Sequence, residues 1–366
     1  MRIIYDYQIF SISRYGGALR YFCELISRLA QTEGIDINLF MGHFISEYGL
    51  EKYKQYYHNF SGRKHKPYPN SKLFFLFLNK LLFKKFFQKN QADLYHQTYY
   101  ENFCINNKTK RIVTVLDMMH EIFPESFSKF DKSSSQKKEA IKSADGIISI
   151  SHSTKNDLIN LFNVPEEKIK VIHLGNSLNL ESKDEPLVKS PYFLYVAKRI
   201  GYKNFKMLLD VFIQLKKDYD NLKLVCCGGS DFNSEERKIL TDNNILKDVI
   251  YFNANDNTLA NLYKNAIAFV YPSLYEGFGV SLLEAMSMKC PIIASNLSSI
   301  PEILGSAGLY IDPKSSEDLK QKMEKLINDG ELRNELIRKG LIQKEKFNWD
   351  KCAKETLEYY KEILGN

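Results

Sequence analysis

At 366 residues, with 44% apolar and 26% charged residues, the chain has the composition of a soluble globular protein and is too long for one ordinary core. No apolar run reaches the roughly 18–20 residues that span a bilayer, and Met1-Arg-Ile-Ile-Tyr5 reads as a strand rather than a leader, which points to a cytoplasmic location. The net charge of +7 sits in one half: residues 1–182 hold 25 Lys and Arg against 18 Asp and Glu, whereas residues 183–366 hold 26 against 26.

In chain order, the first half offers strand-like apolar runs near Arg2–Tyr5, Asp36–Met41, Leu94–His96, Arg111–Leu116, Gly146–Ser151 and Lys170–His173. Tyr15-Gly16-Gly17-Ala18 stands ahead of a helical pattern, where backbone amides could cradle an anion. Residues 52–92 carry ten Lys and Arg and no acid, and Lys72–Lys89 interleaves lysines with Leu and Phe. Such a segment suits an anionic membrane surface, although its polar positions do not fall on one clean helical face; a core-packed helix with solvated lysines explains it as well. His120 follows the Arg111–Leu116 strand, where a histidine binds hydroxyls or moves protons and more often serves as a structural hydrogen bonder; Tyr95-His96-Gln-Thr98-Tyr99-Tyr100, at another strand end, suits carbohydrate or ordinary packing. Residues 178–190, polar and proline-bearing, read as a linker.

Second-half strands are expected near Tyr192–Ala197, Lys223–Cys227, Val249–Phe252, Ala266–Tyr271, Pro291–Ala294 and Gly308–Ile311, with helices from Glu317 to Leu364. Strands alternating with helices in both halves mean α/β architecture: two doubly wound, Rossmann-like parallel sheets. Arg199 and Lys203 flank a glycine turn after the first of these strands and suit phosphate oxygens. Asp218-Tyr-Asp220 has the form of a metal–diphosphate motif but follows a helix, the wrong end of a βα unit. The run Tyr271–Met286 is the most informative: Glu276, a Gly277-Phe278-Gly279-Val280 turn, and Glu284. A strand, a glycine turn and a helix start seat a phosphorylated ligand. Ser281-x-x-Glu284 is also a capping box on paper, which would make Glu284 structural. Helical rise would separate the two carboxylates by roughly 12 Å, which disfavours a glycosidase acid/base pair. The six cysteines form no C-x-x-C pair and read as reduced core thiols, and neither a zinc site nor a nucleic-acid motif appears.

Together these elements resemble glycosyltransferase family four, the retaining bacterial polysaccharide-type hexosyltransferases of GT-B fold. The resemblance rests on Glu276-Gly-Phe-Gly-x4-Glu284-Ala-Met, Pro291-Ile-Ile-Ala-Ser295-Asn, Pro301-Glu302, Arg14-Tyr-Gly-Gly17, Thr114-Val-x-Asp117-x-x-His120 and Arg199-x3-Lys203-Asn204. It implies an acceptor-side domain over 1–182, a nucleotide-sugar domain over 183–345 facing it across a cleft, and a C-terminal helix over 346–366 crossing back. By resemblance, Gly16 and Gly17 approach the donor diphosphate, Arg199 and Lys203 neutralise it, and Glu284 holds the ribose. Glu276 and the Gly277–Val280 turn face the donor sugar, His120 lies near the reacting centre, and the base packs near Asn253. The implied reaction needs no cofactor and no metal. It moves a hexose from a nucleotide sugar, with UDP-glucose placed ahead of GDP-mannose, to a glycan or lipid-linked glycan. A sugar-nucleotide-binding or lectin-like protein of the same fold, without turnover, is the competing reading.

Overall fold

The computed structural model describes residues 1–68, 71–103, 108–178 and 185–365, so Cys104 and residues 179–184 of the expected linker lie outside the described residues. The chain forms two compact units. One comprises Met1–Ile122, Phe127–Leu174 and Trp349–Asn366, and the other Phe123–Ser126 and Gly175–Asn348.

The first unit is built on β1 (Arg2–Tyr5), β2 (Asp36–Phe44), β3 (Asn59–Lys64), β4 (Leu94–Gln97), β5 (Lys110–Val115), β6 (Gly146–Ser149) and β7 (Ile169–Val171). All pairings are parallel, in the order β3-β2-β1-β4-β5-β6-β7. The second unit has β8 (Tyr192–Val196), β9 (Lys223–Cys227), β10 (Val249–Phe252), β11 (Ala268–Tyr271), β12 (Ile292–Ser295) and β13 (Leu309–Ile311), again all parallel, ordered β10-β9-β8-β11-β12-β13. Helices cover both faces of such sheets, which is why the central strands read as continuous apolar runs. The order reverses between β1 and β4 in one sheet and between β8 and β11 in the other; these switch points open crevices at the C-terminal strand ends.

Strand β3 escaped the sequence reading. Its residues Asn-Phe-Ser-Gly-Arg-Lys are half-buried or exposed, as suits an edge strand, and carry no apolar run. The helix Ser71–Lys89 carries polar positions on several sides, as the sequence reading expects. Its buried residues recur every fourth position, as Ser71, Phe75, Asn79, Phe83 and Phe87. Counted in the same register, the opposite row is Leu73, Phe77, Leu81, Lys85 and Lys89, all exposed. One flanking row carries Lys72, Lys80 and Lys84, and the other carries the exposed Phe74 and Leu82. Burial thus follows one row that drifts around the ideal helix, while polar side chains stand in the buried, flanking and opposite rows alike. Asn79 anchors the buried row: its side chain accepts from the His43 amide at 2.8 Å and donates to the Ser11 hydroxyl at 2.9 Å.

The helix Trp349–Leu364 belongs to the first unit. The Tyr359 hydroxyl accepts from the Ile147 amide at 3.1 Å and donates to the Lys168 carbonyl at 3.0 Å. Gly146 is required beneath it, since a Cβ there would stand 2.7 Å from that hydroxyl. Tyr360 bonds the Tyr5 hydroxyl at 2.8 Å and His96 Nδ1, and His96 Nε2 bonds the Thr114 hydroxyl at 2.8 Å. The five described cysteines are buried and unbridged.

Burial lowers the pKa of His96 to about 3, so the folded protein holds it neutral. The unfolded chain gains its proton near pH 6.5, so stability present above that pH is lost as pH falls. The expected His96 contribution to this loss is about 2 kcal/mol by pH 5. Thermal unfolding of wild type and His96→Gln between pH 8 and 5 checks this: the difference between the two midpoints should change in favour of His96→Gln as pH drops.

Candidate functional site

In the second unit the loops after β8 and β11 meet at the switch point. The β8 loop turns through Gly201–Lys203 into Asn204, whose left-handed backbone (φ +56°) starts the helix Phe205–Leu215. Asn204 donates to the carbonyls of Pro272 at 3.1 Å and Pro313 at 2.8 Å, and the Leu274 amide donates to the Tyr202 carbonyl at 2.7 Å. These bonds bring the two loops into register. Lys203 Nζ then lies 2.7 Å from both carboxylate oxygens of Glu276. The side chains are 14% and 8% exposed, so this is a buried pair in which each charge depends on the other.

Arg199 lies on the same β8 loop and is held in place on three sides. Its Nε and Nη2 donate to the Glu236 carboxylate at 2.7 and 3.3 Å, and Nη2 also donates to the Ser230 carbonyl at 2.7 Å. Rings of Phe232, Tyr251 and Phe205 lie 4.7, 5.7 and 5.8 Å from the guanidinium carbon. Nη1 is buried and has no hydrogen-bond partner among the described residues. Burial works against the charge, but the Glu236 bonds more than offset it and raise the pKa above the usual guanidinium value.

The turn after Glu276 ends at Gly279, whose φ of +95° only glycine adopts freely, and Val280–Ser287 follows as a helix. Gly279 is its N-cap and no side chain caps it. This overturns the capping box: Ser281 lies inside the helix, and Glu284 sits a full turn in. Glu284 is 9% exposed and accepts from the Tyr263 hydroxyl at 3.4 Å. Phe278 packs edge-on against Phe347 in the core, so only its backbone is offered to a ligand. Asn253 is exposed just beyond the edge strand β10, and Asp218-Tyr-Asp220 lies in the turn between a helix and β9.

In the first unit, Gly16 caps the helix Gly17–Leu29 and its amide meets the Tyr48 hydroxyl at 3.4 Å. His120 sits in the short helix Met119–Ile122 beyond β5, stacked on Phe127 at 3.9 Å and 3.7 Å from Asp131. Its Nδ1 is buried and unpartnered among the described residues. The sequence reading missed Lys137, fully buried, which donates at 2.8 Å to Glu121 and to the Asp117 carbonyl and so braces that helix. It also missed Glu236 and the Gly228-Gly229-Ser230 turn. That turn had a visible signal, a glycine pair directly after an expected strand.

Two family models match in tandem: Glycosyltransferase Family 4 over residues 15–179 and Glycosyl transferases group 1 over residues 179–342. The chain belongs to glycosyltransferase family four. Among relatives, O-antigen chain mannosyltransferase B of Escherichia coli is 29% identical over 61% of this chain and 62% of its own. O-antigen chain mannosyltransferase RfbU of Salmonella typhimurium is 31% identical over 58% of this chain and 60% of its own. The chain thus spans about three fifths of these relatives. Solved structures share the GT-B fold: sucrose-phosphate synthase from Thermosynechococcus elongatus (TM-score 0.75, 19% identity, 100% of this chain and 99% of that one) and WaaG, a glycosyltransferase involved in lipopolysaccharide biosynthesis (TM-score 0.72, 14% identity, 100% of both). The family resemblance drawn from the sequence and the two parallel-sheet, Rossmann-like units agree with these matches.

Removing one partner of a buried ion pair typically costs about 3–5 kcal/mol. Lys203→Met should therefore lower stability by about that amount, and Lys203→Met/Glu276→Leu should recover most of it. A double-mutant cycle on denaturant unfolding reads the coupling.

Proposed function

We propose that this protein transfers a hexose from a nucleoside-diphosphate sugar to a glycan acceptor in polysaccharide biosynthesis, with retention at the anomeric carbon and without a metal ion. The observation that carries the reading is the pairing of Lys203 with Glu276 at the β8/β11 switch point, beside the uncapped helix start at Gly279. Breaking the anomeric C–O bond builds positive charge on the sugar and negative charge on the leaving diphosphate. Lys203, the unpartnered Nη1 of Arg199 and the amides at the helix start stabilise the diphosphate, while the Glu276 carboxylate faces the sugar. Glu284 holds the ribose hydroxyls, and the base packs beside Asn253. Gly16 and Gly17 approach the diphosphate, and His120 binds the transferred sugar. The acceptor hydroxyl attacks from the face the diphosphate leaves, and a diphosphate oxygen takes its proton.

The mannosyltransferase names of the relatives shift the donor expectation from UDP-glucose toward GDP-mannose. A thermal-shift panel of GDP, UDP, GDP-mannose and UDP-glucose, with and without a chelator, tests this. Binding at a hundred times Kd stabilises by about 2.7 kcal/mol. GDP and GDP-mannose should stabilise most, unchanged by chelator; binding abolished by chelator would exclude the metal-free reading.

The acceptor is proposed to be lipid-linked and met at an anionic membrane surface. No helix among the described residues is long and apolar enough to cross a membrane. The helix Ser71–Lys89 instead presents Leu73, Phe74, Phe77 and Leu81 beside Lys72, Lys80 and Lys84. The protein should float with phosphatidylglycerol vesicles at low salt and not with phosphatidylcholine vesicles. Leu73→Ser/Phe77→Ser should abolish that flotation, and equal recovery of the variant would exclude this face.

A further inference from the structure

Ser298 has a backbone φ of +53°, in the left-handed region that a serine occupies only at a cost. A glycine would hold that turn without strain, so the side chain must supply something. Its hydroxyl accepts from the Glu276 amide at 2.8 Å and from the Ser299 amide at 2.6 Å, and donates to the Glu276 carbonyl at 2.6 Å. One donor and two acceptor lone pairs are the whole capacity of a serine hydroxyl, and all three are spent here. The fully buried Ser299 hydroxyl donates to the same Glu276 carbonyl at 2.9 Å. One turn earlier, Ser295 donates to the Ser273 carbonyl at 2.5 Å. The segment between β12 and the helix Ile300–Leu304 thus grips both the amide and the carbonyl of the residue whose carboxylate meets Lys203.

We propose that Ser298 and Ser299 are positioning residues that set the direction of the Glu276 carboxylate toward the donor sugar. The inference rests on the reading of Glu276 as the sugar-facing group. The Lys203 ammonium is a point charge that accepts many approach angles, so that pair does not by itself set the carboxylate's direction. The two serines fix the peptide from which it projects. A serine hydroxyl clamp on the backbone, unlike a bond to the carboxylate, leaves both carboxylate oxygens available to Lys203 and to a ligand.

The test separates the sugar-dependent part of donor affinity from the rest. Ser298→Gly removes the hydroxyl and relieves the backbone at once. Ser299→Ala removes the second hydroxyl, and Ser299→Thr retains it. Kd is measured for UDP, UDP-glucose, GDP and GDP-mannose, together with turnover of whichever sugar nucleotide binds. Ser298→Gly and Ser299→Ala are expected to weaken the sugar nucleotide by about tenfold relative to its bare diphosphate and to lower kcat, the scale of one or two lost hydrogen bonds. Ser299→Thr should behave as wild type, and the bare diphosphate should bind all variants alike. Unchanged sugar-nucleotide affinity and kcat in Ser298→Gly and Ser299→Ala, with Glu276→Gln impaired, would overturn the positioning role and leave the Glu276 reading intact. Equal weakening of the bare diphosphate would also overturn it, as a sign of general loop damage. Wild-type behaviour of Glu276→Gln would remove the underlying reading, and absence of binding by all four nucleotides would remove the donor site itself; the proposal falls with either.

Discussion

A carboxylate held almost out of water needs a cation at contact distance, and the second unit is arranged around meeting that need for Glu276. Lys203 satisfies it, but only because two loops from neighbouring strands are held in register. The parallel sheet supplies the opportunity: β8 and β11 lie side by side, while their helices leave in opposite directions. At that switch point the loops after β8 and β11 bring polar groups from two βα units together. Asn204, Ser295, Ser298 and Ser299 then tie the loop after β11 peptide by peptide, so that a polar loop at the edge of an apolar core carries few unmet backbone groups.

The charges around the site depend on one another. Arg199 is not a loose cation waiting for a phosphate. Glu236, the Ser230 carbonyl and three aromatic rings orient its guanidinium and leave one nitrogen without a partner. Such an arrangement fixes the direction of the remaining donor before a ligand arrives, which lowers the reorganisation that charge development would otherwise require. The first unit does the same with other residues: buried Lys137 braces the helix that carries His120, whose Nδ1 also stands unpartnered. The same unit uses a neutral buried histidine, His96, to dock its C-terminal helix, so part of its cohesion depends on pH.

Strands buried on both faces were legible because apolar residues had no other place to go: β1 and β9 begin and end where their runs were expected. Strand β3 was not, since an edge strand can be polar and still complete a ladder. The glycine turn ahead of the Val280–Ser287 helix was legible from Gly277 and Gly279, yet the capping box was a false lead. A Ser-x-x-Glu spacing names a cap only if the helix begins at the serine, and Gly279 starts it earlier. The basic helix was legible as poorly segregated, since the polar Ser71 and Asn79 share its buried row with Phe75, Phe83 and Phe87.

The sequence alone therefore determined the two parallel sheets and the family to which the chain belongs, since these follow from short-range pattern and from motif order. Tertiary structure decided which charges face which. Lys203 chooses Glu276, Arg199 chooses Glu236, and Lys137 chooses Glu121, pairs whose partners lie on different elements or, for Lys137, across a turn. No spacing rule encodes those choices. They arise from strand order, which places distant loops side by side, and from the cost of burying a charge without a partner at contact distance.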